Sequence, residues 1–152
     1  MCASAGDPAF LPAHVLATEI GSRRLSPVDL VGALLERIRT GDPKLHAFVE
    51  VYTEDARLAA EAAEKAIRSG HAIGPLHGIP IALKDLIEIK GKVTTGGSEV
   101  WRERRSAYTA TLARRLIGAG PDSLTSVLPE DSTPAALSAP RRGPASSSPP
   151  SP

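Results

Sequence analysis

At 152 residues, 41% of them hydrophobic, the chain has room for a core but for only one domain of ordinary size. Aromatic residues reach only 3%, so alanine and the smaller aliphatics must build that core. With 18 basic and 17 acidic side chains well mixed and a net charge of +1, there is no electrostatic case for binding nucleic acid or an anionic membrane. Arg102, Arg104 and Arg105, interrupted by Glu103, read as a solvated surface. The single cysteine, Cys2, excludes an internal disulfide. No apolar stretch approaches the roughly 20 residues needed to span a bilayer. The start, Met1 to Leu11, lacks the basic and apolar regions of a signal peptide, so the expected location is cytoplasmic.

Residues 1–10 are small and polar and read as a flexible lead-in. A short helix is expected from about Pro12 to Ile20, with Val15, Leu16 and Ile20 on one face and Gly21 ending it. The next helix is the best marked. Ser26 can act as N-cap, Pro27 occupies the first turn, and Asp29 sits where a carboxylate favours exposed amides. Val28, Val31, Leu35 and Ile38 repeat at helical spacing, Leu30 and Leu34 widen the stripe, and Gly41-Asp42-Pro43 is expected to stop it. Ala47 to Tyr52 reads as extended. Thr53 then opens an Ala-rich helix closed by Gly70, with a narrow buried face of Ala59, Ala63, Ala66 and Ile67.

The texture changes at Gly74. Ile79-Pro80-Ile81-Ala82-Leu83 reads as a buried strand, with Pro80 marking an early or irregular position in it. A Gly/Thr loop through Gly91, Thr94, Thr95, Gly96 and Gly97 follows, then a helix from about Ala107 to Ala119 with Leu112, Leu116 and Ile117 inward. From Pro121 to Pro152, eight of 32 residues are proline and eight are serine, with no aromatic. So little apolar bulk cannot offset the entropy of ordering the segment, and residues 121–152 are expected to be disordered.

Lys84 stands out on its own chemistry. It ends an apolar strand, Asp85 follows it, and a glycine-bearing loop lies just beyond. A lysine that loses hydration at a strand end has its pKa lowered, and the neutral amine can then act as a general base. The alternative is a lysine whose long stem carries the ammonium out to solvent. His14, His46, His71 and His77 have no spacing that would clamp a metal, and no GxGxxG dinucleotide fingerprint is present.

The string Pro75-Leu76-His77-Gly78-Ile79-Pro80-Ile81-Ala82-Leu83-Lys84-Asp85 closely resembles the segment that opens the amidase-signature domain. Thr94-Thr95-Gly96-Gly97-Ser98 resembles that family's TT-x-G-S loop at the expected distance. The sequences LSPVDLVGALLERI, LHAFVEV and TATLARRLIGAG are similar to its flanking elements. The resemblance covers roughly Leu11 to Gly120. It implies an α/β fold: a partial amidase-signature domain at 11–120, made of leading helices and the first strand or two of a mixed central sheet, between the lead-in 1–10 and the tail 121–152. It further implies hydrolysis of an amide C–N bond in a small-molecule substrate through a Ser–cis-Ser–Lys triad. In that scheme one serine attacks the carbonyl, a second relays its proton to the lysine, and backbone amides of a Gly/Ser-rich loop stabilise the oxyanion. Lys84 matches the base, and no metal or organic cofactor is implied.

The G-G-S-S-G-G-S segment that supplies both serines in the family is absent from these residues, as are the strand and G-K-T/N turn expected directly after Gly118-Ala119-Gly120. Ser98 belongs to the earlier loop, and Ser146-Ser147-Ser148 lie among prolines with no glycine to form an anion-binding nest. Hence the expectation is a truncated or frame-shifted, inactive amidase fragment of low independent stability, since an isolated central strand exposes unpaired backbone. The alternatives are an A-subunit-like component of a tRNA-dependent amidotransferase and a non-catalytic interaction module that associates with a full-length homologue. Another is an active amidase whose serines come from elsewhere in the chain.

Overall fold

The structure, a computed structural model, describes residues 7–71, 74–120 and 124–127. Four helices and three strands follow one another: α1 (Ala13–Gly21), α2 (Pro27–Leu45), β1 (Phe48–Glu50), α3 (Thr53–Arg68), β2 (Ile81–Lys84), α4 (Thr111–Gly118) and β3 (Leu124–Val127). The N-terminus of α2 forms as its sequence dictates. Ser26 is extended, and its hydroxyl accepts the amides of Val28 at 3.0 Å and Asp29 at 3.3 Å. The same hydroxyl donates to Glu64 of α3 at 2.7 Å, tying the cap to the neighbouring helix.

The expected stop at Gly41-Asp42-Pro43 does not occur, and α2 runs through Pro43 to Leu45. The proline lies so close to the end that the turn beyond it can be closed by other groups. His46 adopts a left-handed conformation (φ 50°) and its N–H reaches the Asp42 carbonyl at 2.7 Å. The Asp42 carboxylate accepts the amides of Ala47 at 2.7 Å and Phe48 at 3.1 Å, leading the chain into β1.

The core sits among the first three helices. Leu16 and Ile20 of α1, Leu30 of α2 and Ile67 of α3 close on one another and on Ile79, while Val31 meets Ala56 and Ala60. The buried face of α3 is Ala56, Ala60, Ala63 and Ile67. Ala59 and Ala66, expected inside, are only half-buried, because the helix is turned so that the line at i, i+4, i+7 faces α2. Small side chains there let the two helices approach closely. Arg23, itself at φ 61°, donates to the Ile67 carbonyl at 3.0 Å and so closes the end of α3 from outside.

Further along, α4 begins at Thr111 rather than near Ala107, and its inward residue is Ala113, fully buried. Leu112 and Ile117, expected inside, are exposed, and Leu116 is half-buried. The expectation of disorder from Pro121 onward does not hold for Leu124–Val127, which form β3. The remainder of that segment, 121–123 and 128–152, lies outside the described residues, as do the lead-in residues 1–6 with Cys2. β3 is the middle strand of a three-stranded sheet ordered β1-β3-β2. It pairs in parallel with β2, from Ile81 opposite Leu124 to Lys84 opposite Val127, and antiparallel with β1, Phe48 opposite Val127. A parallel pair needs a long crossover, which the loop after Lys84 and α4 provide.

Candidate active site

Lys84 is the last residue of β2, and its position follows from strand periodicity. Leu83 points inward and is buried, so Ala82 and Lys84 point the other way and are exposed. Among the described residues the expectation of a solvent-starved amine therefore does not hold: Lys84 is exposed. Among the described residues β2 has a neighbour on one side only, β3. Ile79 is buried, but it precedes the strand, which begins only after Pro80. Proline has no N–H to offer a ladder, so pairing starts one residue later.

Directly after the lysine the backbone is fixed. The Lys84 carbonyl accepts the Ile87 amide at 2.9 Å, and the Asp85 carbonyl accepts the Gly96 amide at 3.0 Å. Asp85 is 1% exposed. Its carboxylate accepts the Thr95 amide at 2.9 Å, the Thr95 hydroxyl, and more distantly the Gly97 amide at 3.4 Å. Gly96 (φ 58°) and Gly97 (φ 74°) are both left-handed, which turns the Thr95 and Gly97 amides toward the Asp85 carboxylate while the Gly96 amide meets the Asp85 carbonyl. The Thr94–Ser98 loop is thus an anion nest already filled by the protein's own carboxylate. Its amides at 95, 96 and 97 are committed to Asp85, so they cannot also serve as an oxyanion hole. Ser98 occupies the N-cap position of a 3-10 turn at Glu99–Trp101 without a side-chain capping hydrogen bond.

A second polar cluster braces the far side of this loop. Partly buried Glu88 pairs with Arg104 and accepts the Ser106 hydroxyl at 2.7 Å. The Arg104 guanidinium and the Ser106 hydroxyl hold the Glu88 carboxyl below its ordinary range, and Glu88 in turn raises the Tyr108 phenol. Arg104 also stacks 5.3 Å from the Trp101 ring centroid, so the basic cluster is not simply solvated surface. His77 lies in the loop before β2. Its Nε2–H donates to the Ala63 carbonyl at 3.2 Å and docks the loop before β2 onto α3.

A cleft of about 980 Å³ lies between the second half of α2 and the sheet, lined by Leu34, Leu35, Ile38, Phe48 and Ile81 among others. Lys84 is not among its lining residues. Among the described residues no group of three or more His, Cys, Asp or Glu side chains is placed to hold a metal ion. No helix among them is long and apolar enough to cross a membrane. Sequence reasoning found Lys84 and left Asp85 between two roles, orienting or hydrogen-bonding near the site and a plain structural one. The acceptor role of Asp85 depends on a partner ten residues downstream, and the left-handed Gly96-Gly97 pair was the available signal.

The amidase family model matches residues 29–125, a span from the first turn of α2 into β3 that includes Lys84 and its loop. The A subunit of the glutamyl-tRNA(Gln) amidotransferase of Chloroflexus aggregans is 39% identical over 73% of this chain and 23% of its own length. The putative amidase AmiD of Mycobacterium bovis is 39% identical over 69% of this chain and 22% of its own. The native peptide amidase of Stenotrophomonas maltophilia superposes with a TM-score of 0.71 at 34% identity, covering 78% of this chain and 25% of that one. The chain therefore spans about a quarter of the length of the relatives it matches. On sequence match, helix order and the strand–lysine–loop arrangement together, this chain belongs to the amidase family.

Proposed function

We propose that Lys84 is the base of a Ser–cis-Ser–Lys triad for hydrolysis of small-molecule amides, and that these 152 residues supply the base without the nucleophile. The observation that carries the reading is local: a lysine closes a strand, and the carboxylate next to it pins a Thr/Gly loop ten residues downstream, inside the matched span. In the complete reaction a serine oxygen bonds to the amide carbonyl carbon. Its proton passes through the second serine to neutral lysine, and the C–N bond breaks as the nitrogen leaves protonated. Water then releases the acid. Both serines must come from residues that present a G-G-S-S-G-G-S segment, which the sequence does not contain. Those residues would also cover the exposed face of Lys84.

By itself this chain is then inactive. The family pattern continues to residue 125 and gives way to a Pro-, Ser-, Ala- and Arg-rich composition, as a shifted frame in GC-rich coding DNA would produce. Reading the neighbouring nucleotides in all frames checks this: if none encodes a Gly/Ser-rich nucleophile segment the shifted frame is overturned, and a genuine gene fragment is the reading that stands. Residence in the cytoplasm belongs to the same proposal, and cell fractionation tests it.

The deciding experiment for Lys84 grafts residues 29–125 in place of the matching quarter of the Stenotrophomonas peptide amidase. A turning-over chimaera should lose about 10²–10⁴-fold in kcat on Lys84→Ala. Unchanged turnover in that variant would remove Lys84 from the reaction. A second reading, a component of a tRNA-dependent amidotransferase, is favoured by the Chloroflexus aggregans relative, which bears that name. Stoichiometric co-purification with the other chains of such an amidotransferase would support it, whereas recovery with a full-length amidase alone would point to association with a homologue.

A further inference from the structure

Asp85 is the one fully buried carboxylate among the described residues, and every acceptor site it uses is directed at the loop that follows the lysine. A buried carboxylate is costly unless its charge is met by donors. Here the donors are two backbone amides and one hydroxyl, all from Thr95 and Gly97, with the Thr95 hydroxyl also accepting the Gly97 amide at 3.1 Å. The Asp85 carbonyl takes a third amide, that of Gly96, at 3.0 Å. One residue upstream, the Lys84 carbonyl is closed into a turn with Ile87. Thus the peptide units on the C-terminal side of Lys84 are held by main chain and side chain together, while β3 holds the strand on its N-terminal side. A long lysine stem is otherwise free to sample many rotamers, and fixing its backbone at both flanks restricts where the amine can reach.

We infer that Asp85 is a positioning residue for Lys84: its buried carboxylate, by gathering the Thr95 and Gly97 donors, sets the direction in which the lysine leaves the strand. This rests on the reading of Lys84 as the base, but the positioning itself is a property of this chain and can be measured without turnover. Thr95→Val removes the hydroxyl and keeps the backbone amide and the side-chain shape. Asp85→Asn keeps the shape and sets an amide NH2 against donors.

The experiment is competitive acylation of the whole chain with acetic anhydride at one pH, read by mass spectrometry. Lys44 and Lys65, on α2 and α3, serve as internal references. In variants whose helical circular dichroism matches the parent, the reactivity of Lys84 relative to those two should change by about threefold or more. Thr95→Ser, which retains the hydroxyl, should restore the parental ratio. An unchanged Lys84 ratio in a folded Thr95→Val chain overturns the inference, as does an equal change at all three lysines. Neither result bears on whether Lys84 is the base, which the chimaera tests separately. If Asp85→Asn fails to fold, Thr95→Val still decides.

Discussion

The helical half of the molecule and the strand–loop–helix half are held together by different physics. Around α1, α2 and α3, order comes from apolar burial: Ile20 and Leu30 are 1% and 0% exposed, and α3 lays a line of alanines against α2. Each fully buried leucine or isoleucine there contributes about 1.5–3 kcal/mol. From β2 to α4 the fixed points are polar. Asp85 gathers the Thr95–Gly97 loop and Glu88 gathers Arg104 and Ser106, whereas Leu86, Trp101, Leu112 and Ile117 remain exposed. The difference teaches where each kind of stability comes from. A packed core organises several helices at once, whereas hydrogen bonds to one buried carboxylate fix a single loop. The lysine stands on the second kind of ground.

That contrast can be broken at its strongest point first. Leu30→Ala removes the centre of the helical core and should cost about 2–5 kcal/mol by denaturant unfolding. A loss under about 1 kcal/mol would mean that the three helices are not one packed unit. Gly78 lies at the seam between the two halves, at φ 75°, and an added Cβ would stand 2.8 Å from Pro27 Cγ. Gly78→Ala should therefore cost about 1–2 kcal/mol from the left-handed backbone alone, with the clash added to it. Unaltered stability would show that the loop before β2 does not dock on α2.

The polar half should respond to acid. Glu88 is held below its ordinary range by Arg104 and Ser106, so its contribution is present above the unfolded-state pKa. That contribution is lost as the pH falls through the lower folded-state value. Glu88→Gln should flatten this part of the acid limb, and an identical pH profile would contradict the assignment. The smallest effect is expected at Lys84, which is exposed: Lys84→Ala should leave stability within about 0.5 kcal/mol. A larger loss would give the lysine a structural task.

How much of this was legible in the sequence varies along the chain for physical reasons. The start of α2 was readable because Ser26, Pro27 and Asp29 act within one turn. Its end was not, because the closure depends on a left-handed His46 and on Asp42 reaching forward to Ala47 and Phe48. α4 misled because Leu112 and Ile117 are larger than Ala113, yet packing chose the smaller residue. β3 was missed because the composition of 32 residues was averaged, and Leu124-Thr125-Ser126-Val127, with two β-branched side chains, was lost in the proline and serine around it. Lys84 was found through motif resemblance; its burial was inferred from the apolar run before it. An alternating strand with Leu83 inward puts residue 84 outward whatever precedes it.

The most direct measurement is ammonia release by the purified 152-residue protein from primary amides, with a serine-directed fluorophosphonate probe applied in parallel. The account predicts no turnover above the Lys84→Ala variant and no labelled serine. Turnover that disappears in that variant, with the probe attached to a serine of this chain, would contradict it.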